Sequence, residues 1–249
     1  GLQIPVGGDS VTIDWDGNQR LGVSAQNAEL HLLDFLHLQG SFFWEKGPQQ
    51  LVEIATGIPA NLGAALDTIG LDGIASAIAG VAGVTIGPNF STISGWDVAT
   101  TMLGMSNVQG FAGFGSPDFS DPDWATRDNL LGFILSGVNL ALGIMNSTFP
   151  IGIPGLETFI GLSASVGTAA FTAYGSDWLT VEASDVEIVI NDNPDNWPGG
   201  IGPAVIDWAA TDWNQGDETE PGLEVPTGAK KPDGSDVTVT LEMDGNYRI

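Results

Sequence analysis

From Ala28 the even positions of the chain read Leu30, Leu32, Asp34, Leu36, Leu38, Gly40, Phe42 and Trp44. Side chains of an extended backbone alternate between two faces, so this period of two predicts a long β-strand with one apolar face. Asp34 interrupts that face and predicts a bulge or bend. Leu179 to Ile190 is rich in β-branched residues and predicts a second strand region. Phe111–Phe114, Leu130–Met145 and Phe159–Tyr174 are further strand candidates, the middle one ambiguous with helix. The stretch 49–82 has a different rhythm. Leu51, Ile54, Ile58, Leu62, Leu66, Ile69, Ile74, Ile78 and Val81 mostly recur at steps of three and four, the spacing of a helix face. Prolines and glycines break it up, so it predicts two short helices at Gln49–Thr56 and Pro59–Ile69, and a third at Gly73–Ala82, laid over a sheet.

The chain also repeats itself. Val239 to Ile249 matches Val11 to Leu21 at an offset of 228 residues, with identical Val, Thr, Asp, Gly, Asn and Arg. Upstream, Gly222-Leu223-Glu224-Val225-Pro226 echoes Gly1-Leu2-Gln3-Ile4-Pro5 at an offset of 221, and the insertion Ala229–Ser235 accounts for the difference. Two matches in the same order predict one period, about 228 residues, of a tandem array. A weaker repeat lies inside it. Val23 to Leu30 resembles Val181 to Ile188, and Met105-Ser106-Asn107-Val108 is a fragment of the same pattern. Either these strands occupy equivalent rungs of one sheet, or short β segments with Asn or Asp simply look alike. The domain reading is one module over 1–249, with a helical, Gly-rich apolar insert at 49–87. An acidic linker at 212–235 leads into the next copy.

Composition narrows the function. The 249 residues are long enough to bury a sizeable core, and 43% are apolar, which argues against disorder. Acidic residues outnumber basic ones 31 to 6, a net charge of −25. Such a polyanion repels nucleic acid and anionic lipid, and cations are its natural partners. The absence of cysteine excludes disulfides, thiolate metal sites and a cysteine nucleophile. The longest uncharged apolar run, Gly73 to Val84, is too short to span a bilayer, so no membrane insertion is expected.

The acidic loops are the candidate sites. Asp118, Asp121, Asp123 and Asp128 fall within eleven residues of an expected loop, and calcium takes six to eight hard oxygens of this kind. The spacing is not that of an EF-hand, Arg127 would neutralise part of the site, and a solvated turn is the competing reading. Asp14, Asp16 and Asn18 form a second candidate whose echo, Glu242, Asp244 and Asn246, keeps oxygen ligands; Asp-Gly-Asn is equally a hairpin turn. Asn191 to Asn196 is a third, weaker one. His31 and His37, the only histidines, stand roughly 20 Å apart on one continuous strand, too far to share an ion. No catalytic residue is assigned: a Ser or Thr nucleophile needs a base, and carboxylate pairs suited to glycosidase work occur in any acidic protein. Eight tryptophans, several beside Asp or Pro, are core or loop packing by default and sugar-stacking platforms if exposed.

Ala28–Glu45, Leu103–Gly115, Leu135–Met145 and Thr168–Ile190 resemble the tandem modules of giant bacterial extracellular, adhesin-like cell-surface proteins. That resemblance spans about two thirds of the chain and omits 49–82. It implies extracellular display, frequent calcium dependence and a structural or adhesive role. The sequence thus predicts a mainly β module of long antiparallel strands in an extended or two-layer sheet, with short helices between about 49 and 82. Its expected role is a structural repeat unit of an extracellular filament, sheath or giant surface adhesin, joined end to end to copies of itself. The alternatives are a polysaccharide-binding module using exposed Trp and acidic loops, and a carrier of apolar ligands under the helices.

Overall fold

A computed structural model of the chain describes residues 2–6, 9–13, 19–33, 35–58, 72–126, 129–149, 153–173, 181–194, 202–213 and 221–246. The chain opens with a hairpin of β1 (Leu2–Val6) and β2 (Asp9–Ile13). Then come β3 (Leu21–Leu32), β4 (Leu36–Ala55), a helix α1 (Asp72–Ala79), β5 (Thr85–Ile86) and β6 (Thr92–Phe114). The chain continues through β7 (Leu131–Ser147), β8 (Thr158–Ala173), β9 (Val181–Asp192), β10 (Val205–Ile206), β11 (Leu223–Lys230) and β12 (Asp236–Leu241). Eight strands form one antiparallel sheet in the order β10-β4-β6-β7-β8-β9, with β3 also on β4 and β5 on β6. The architecture is mainly β, as the alternation predicts.

The apolar run at 28–44 is two strands rather than one. The chain reverses between Leu32 and Leu36, with Leu33 at φ +55°, and Leu30 pairs Leu38 while Leu32 pairs Leu36; Asp34, where a bulge or bend is expected, lies outside the described residues. Paired residues sum to an even number, so the alternation passes through the turn unbroken and the pattern alone cannot reveal it. Gln49–Ala55 is strand, not the expected helix. Val52, Ile54, Thr56 and Ile58 are buried in alternation while Leu51 is 62% exposed. β-branched residues and a ladder to β6 outweigh the three-and-four spacing here. The third expected helix is α1, and the ambiguous 130–145 stretch is β7. The expected helix at Pro59–Ile69 lies outside the described residues.

The weak internal repeat has a structural meaning. Asn27, Asn107 and Asp185, its aligned residues, all take positive φ (50°, 49° and 52°), and Gly137 of β7 does the same at 65°. Each sits beside a row that crosses the sheet. Ala28 pairs Gly40, Val108 pairs Val138, Val138 pairs Val166, and Val166 pairs Val186. The register skips just before this row in β3 and on either side of it in β6. A left-handed residue in a strand makes a bulge and bends it. Asn and Asp adopt that conformation at less cost than other non-glycine residues, which explains their recurrence at the same level of different strands.

Candidate self-association surface

The two faces of the sheet are built differently. Directly opposed residues in neighbouring strands share a face. Val23 opposes Trp44, Trp44 opposes Leu103, Leu103 opposes Leu142, Leu142 opposes Leu162, and Leu162 opposes Ile190. Six strands therefore contribute one unbroken apolar row. Phe42, Met105 and Leu140 continue it one step along. Val23 is 63% exposed and Trp44 37%, and the remainder of the row is half-buried. Apolar surface of this extent on a protein is characteristic of contact with a partner.

The opposite face carries glycines where its cover comes closest. Phe43 opposes Gly104, and Gly143 opposes Gly161. Trp208 fills the space over that glycine pair: a β-carbon on Gly143 would stand 2.8 Å from its Cη2, and one on Gly161 would overlap its Cζ2. The Trp208 Nε1–H donates to Asn191 Oδ1 (3.0 Å), and the Asn191 side-chain amide donates to Ile206 O (2.9 Å). Trp213 stacks on Trp208 with ring centres 5.3 Å apart and donates its own Nε1–H to Trp208 O. Ile54, Ile93, Trp96, Val98, Met145 and Phe159 surround this anchor, and Ile78 of α1 joins the same core.

The β11–β12 hairpin completes the cover. β11 lies against β3, β4, β6 and β7, and β12 against β6, β7 and β8. Val225 and Leu241 are fully buried there. The two segments that echo one another are thus both hairpins, and they share a register. Leu2 pairs Ile13, Gln3 pairs Thr12, Ile4 pairs Val11 and Pro5 pairs Ser10. At the other end Leu223 pairs Leu241, Glu224 pairs Thr240, Val225 pairs Val239 and Pro226 pairs Thr238. All four pairs superpose under the offsets of 221 and 228. Their surroundings differ: Val225 is 0% exposed, and Ile4, its counterpart, is 41% exposed.

One edge of the sheet is acidic. β9, at one edge, exposes Glu182, Asp185 and Glu187. Carboxylates along an open edge oppose lateral strand addition, and here they discourage sheet-to-sheet growth from that side.

The carboxylates expected to hold calcium are placed in part. Asp118 Oδ1 accepts the amide and hydroxyl of Ser120, at 3.2 and 2.5 Å, and Asp121 Oδ1 accepts the amide of Asp123 at 2.9 Å. The Asp121 amide donates to Asp118 O and that of Trp124 to Asp121 O. These bonds build successive turns leading into a short 3-10 helix at Trp124–Thr126, and they occupy one oxygen each of Asp118 and Asp121. Hard carboxylate oxygens of this kind suit calcium chemically. Among the described residues no three His, Asp or Glu side chains converge where they could hold a metal ion. Asp128, Asp14, Asp16 and Asn18 lie outside the described residues. In the weaker candidate at 191–196, Asn191 binds Trp208, and the Asn193 amide donates to Gly155 O at 2.8 Å, so both are buried framework residues. Of the described tryptophans, Trp96, Trp124, Trp208 and Trp213 are buried and Trp44 is partly exposed on the apolar row.

The histidines require a correction. His31 and His37 are direct cross-strand partners, with Nδ1 atoms 2.9 Å apart and rings edge-on at 4.8 Å. The separation expected on one strand fails because the chain turns back between them. Glu29 lies 3.6 Å from His31 Nε2 and accepts from Gln39 at 3.1 Å. One Nδ1 must donate and the other accept, so the pair cannot hold a proton on all four ring nitrogens and keep this bond.

One titration is displaced by local structure. Asp233, in the turn between β11 and β12, is held below the usual carboxylate range, first by the Ser235 hydroxyl (2.7 Å) and then by the Ser235 amide (2.9 Å).

No protein-family model matches the chain, and no curated protein or solved structure is similar to it. No helix among the described residues is long and apolar enough to cross a membrane.

Proposed function

We propose that this chain is a structural repeat unit of an extracellular filament, sheath or giant surface adhesin, whose copies assemble end to end. One observation carries this reading: the chain holds the same hairpin twice in the same register, the second buried against the sheet at Val225 and Leu241, the first exposed at Gln3, Ile4 and Pro5. A hairpin that has a defined partner surface at one end of the chain and an exposed apolar position at the other is suited to joining like to like. The half-exposed apolar row on the far face offers further contact area. The net charge of −25 makes cations, calcium among them, the partners that offset repulsion between copies. The resemblance to tandem surface modules supports the extracellular setting. Electron micrographs of the concentrated protein in calcium-containing buffer test the reading. Filaments or sheets with a regular axial repeat support it, and dispersed single particles at every concentration and salt refute it.

A further inference from the structure

The docked hairpin meets the sheet closely at two glycines. Gly228 has φ +81°, and a β-carbon there would overlap Phe42 O and stand 2.9 Å from Ala25 O. Phe42 and Ala25 belong to the main sheet. Gly245, just beyond β12, admits no β-carbon because it would overlap Ala55 Cβ and stand 3.1 Å from Asp207 Oδ2. The sheet thus excludes a side chain at both positions; at Gly228 the left-handed backbone at the irregularity of its own hairpin favours glycine as well. The correspondence between the hairpins extends to both. Under the offset of 221 Gly228 answers to Gly7, and under the offset of 228 Gly245 answers to Gly17. Ile4 and Ile13 answer to the fully buried Val225 and Leu241. Pro5 answers to Pro226, whose carbonyl oxygen packs so closely on Gly104 that a β-carbon there would overlap it. The opening hairpin thus satisfies the requirements of a surface that β11–β12 occupies in its own chain.

We propose that the β1–β2 hairpin docks on the sheet of a second copy of this chain, in the place that β11–β12 fills within one copy. This rests on the end-to-end reading and names its joint. Between separate chains the incoming hairpin replaces the resident one. The two are nearly equivalent in sequence and register, so the exchange trades like for like, and concentration sets how far it proceeds. Within a continuous array no exchange is needed, because the hairpin that opens one copy closes the sheet of the copy before it.

The test uses the full chain and a fluorescent peptide of residues 1–21, with binding read by anisotropy. Gly228→Val in the chain weakens the resident hairpin from its own side and leaves the sheet surface unchanged. The peptide should bind this variant at least tenfold more tightly than the unaltered chain. Peptides carrying Ile4→Asp or Gly7→Val should each lose at least tenfold. Equal binding of all three peptides, or none by the unaltered peptide, overturns the proposal. Should the Gly228→Val chain lose its β circular dichroism, the unaltered chain serves instead. Excess peptide should then speed hydrogen exchange at the Val225 and Leu241 amides, and unchanged exchange overturns the proposal. The two readings fail separately. A chain that forms filaments insensitive to Ile4→Asp keeps its structural role and loses this joint. A chain that binds the peptide through Ile4 and Gly7 but never assembles keeps the docking surface and loses the structural role.

Discussion

At the scale of single residues, two pairs make sharp statements. His37 is 6% exposed, and its Nδ1 finds His31 Nδ1 across the strand pair. His31→Ala removes that partner and leaves a buried imidazole nitrogen short of a bond. The expected cost is about 1–3 kcal/mol in urea unfolding, and a change below the error of the fit would contradict the pairing. The sign at Asp233 can be worked out from its bonds. Ser235 donates to the carboxylate, so the charged form is favoured in the folded state and the titration moves down. The contribution is present above the ordinary aspartate range and disappears as pH falls through the lowered value. Ser235→Ala should move the Asp233 titration, followed by carbon-detected NMR, up towards the ordinary range. An unmoved titration would show that the hydroxyl is not the main cause.

At the scale of elements, the bulge row governs how long strands fit one sheet. Asn107 takes φ +49° within β6, and its backbone amide donates to Asn139 Oδ1 at 3.1 Å. A β-carbon other than that of Asn or Asp is costly in this conformation, by roughly 1–2 kcal/mol. Asn107→Ala should therefore lower the unfolding free energy by about that amount, and Asn107→Gly should leave it nearly unchanged. Equal losses in both variants would place the role of Asn107 in its side chain and not in its backbone. Much of this level is legible in the sequence. Alternation marks the run that becomes β3 and β4, Phe159–Tyr174 marks β8, and Phe111–Phe114 marks only the end of β6; the Asn/Asp repeat is visible, but that it makes bulges appears only in the backbone angles. Where the reading fails, the physics is specific. The reversal between Leu32 and Leu36 preserves parity, so one strand is expected where two exist, and the two histidines are expected far apart. At 49–55 the same apolar residues satisfy both a helix and a strand, and only pairing with β6 decides. The self-association surface is legible in part. The echo of the two ends is plain in the sequence and extends to Gly7 and Gly17, but the demand for glycine there appears only once Phe42 O and Ala55 Cβ are in place.

At the scale of the whole molecule, one sheet face is closed by a core anchored on Trp208 and by the β11–β12 hairpin, and the other presents a half-exposed apolar row. A body with 25 net negative charges repels its copies at long range, and salt shortens that range to about 8–10 Å at 0.1–0.15 M. Assembly, followed by light scattering, should strengthen from low to physiological salt. Millimolar calcium should strengthen it further than an equal ionic strength of sodium, and excess chelator should reverse that increment. If calcium and sodium act alike and chelator leaves melting temperature and particle size unchanged, calcium has no part in the assembly.

The central claim is that the exposed opening hairpin joins one copy to the next. Sedimentation velocity on the unaltered chain and on Ile4→Asp, across a wide range of concentration, tests it most directly. The account predicts a weight-average mass that grows with concentration for the unaltered chain and stays at the 25.9 kDa of one copy for the variant. A single 25.9 kDa species for both, or identical growth in both, would contradict it.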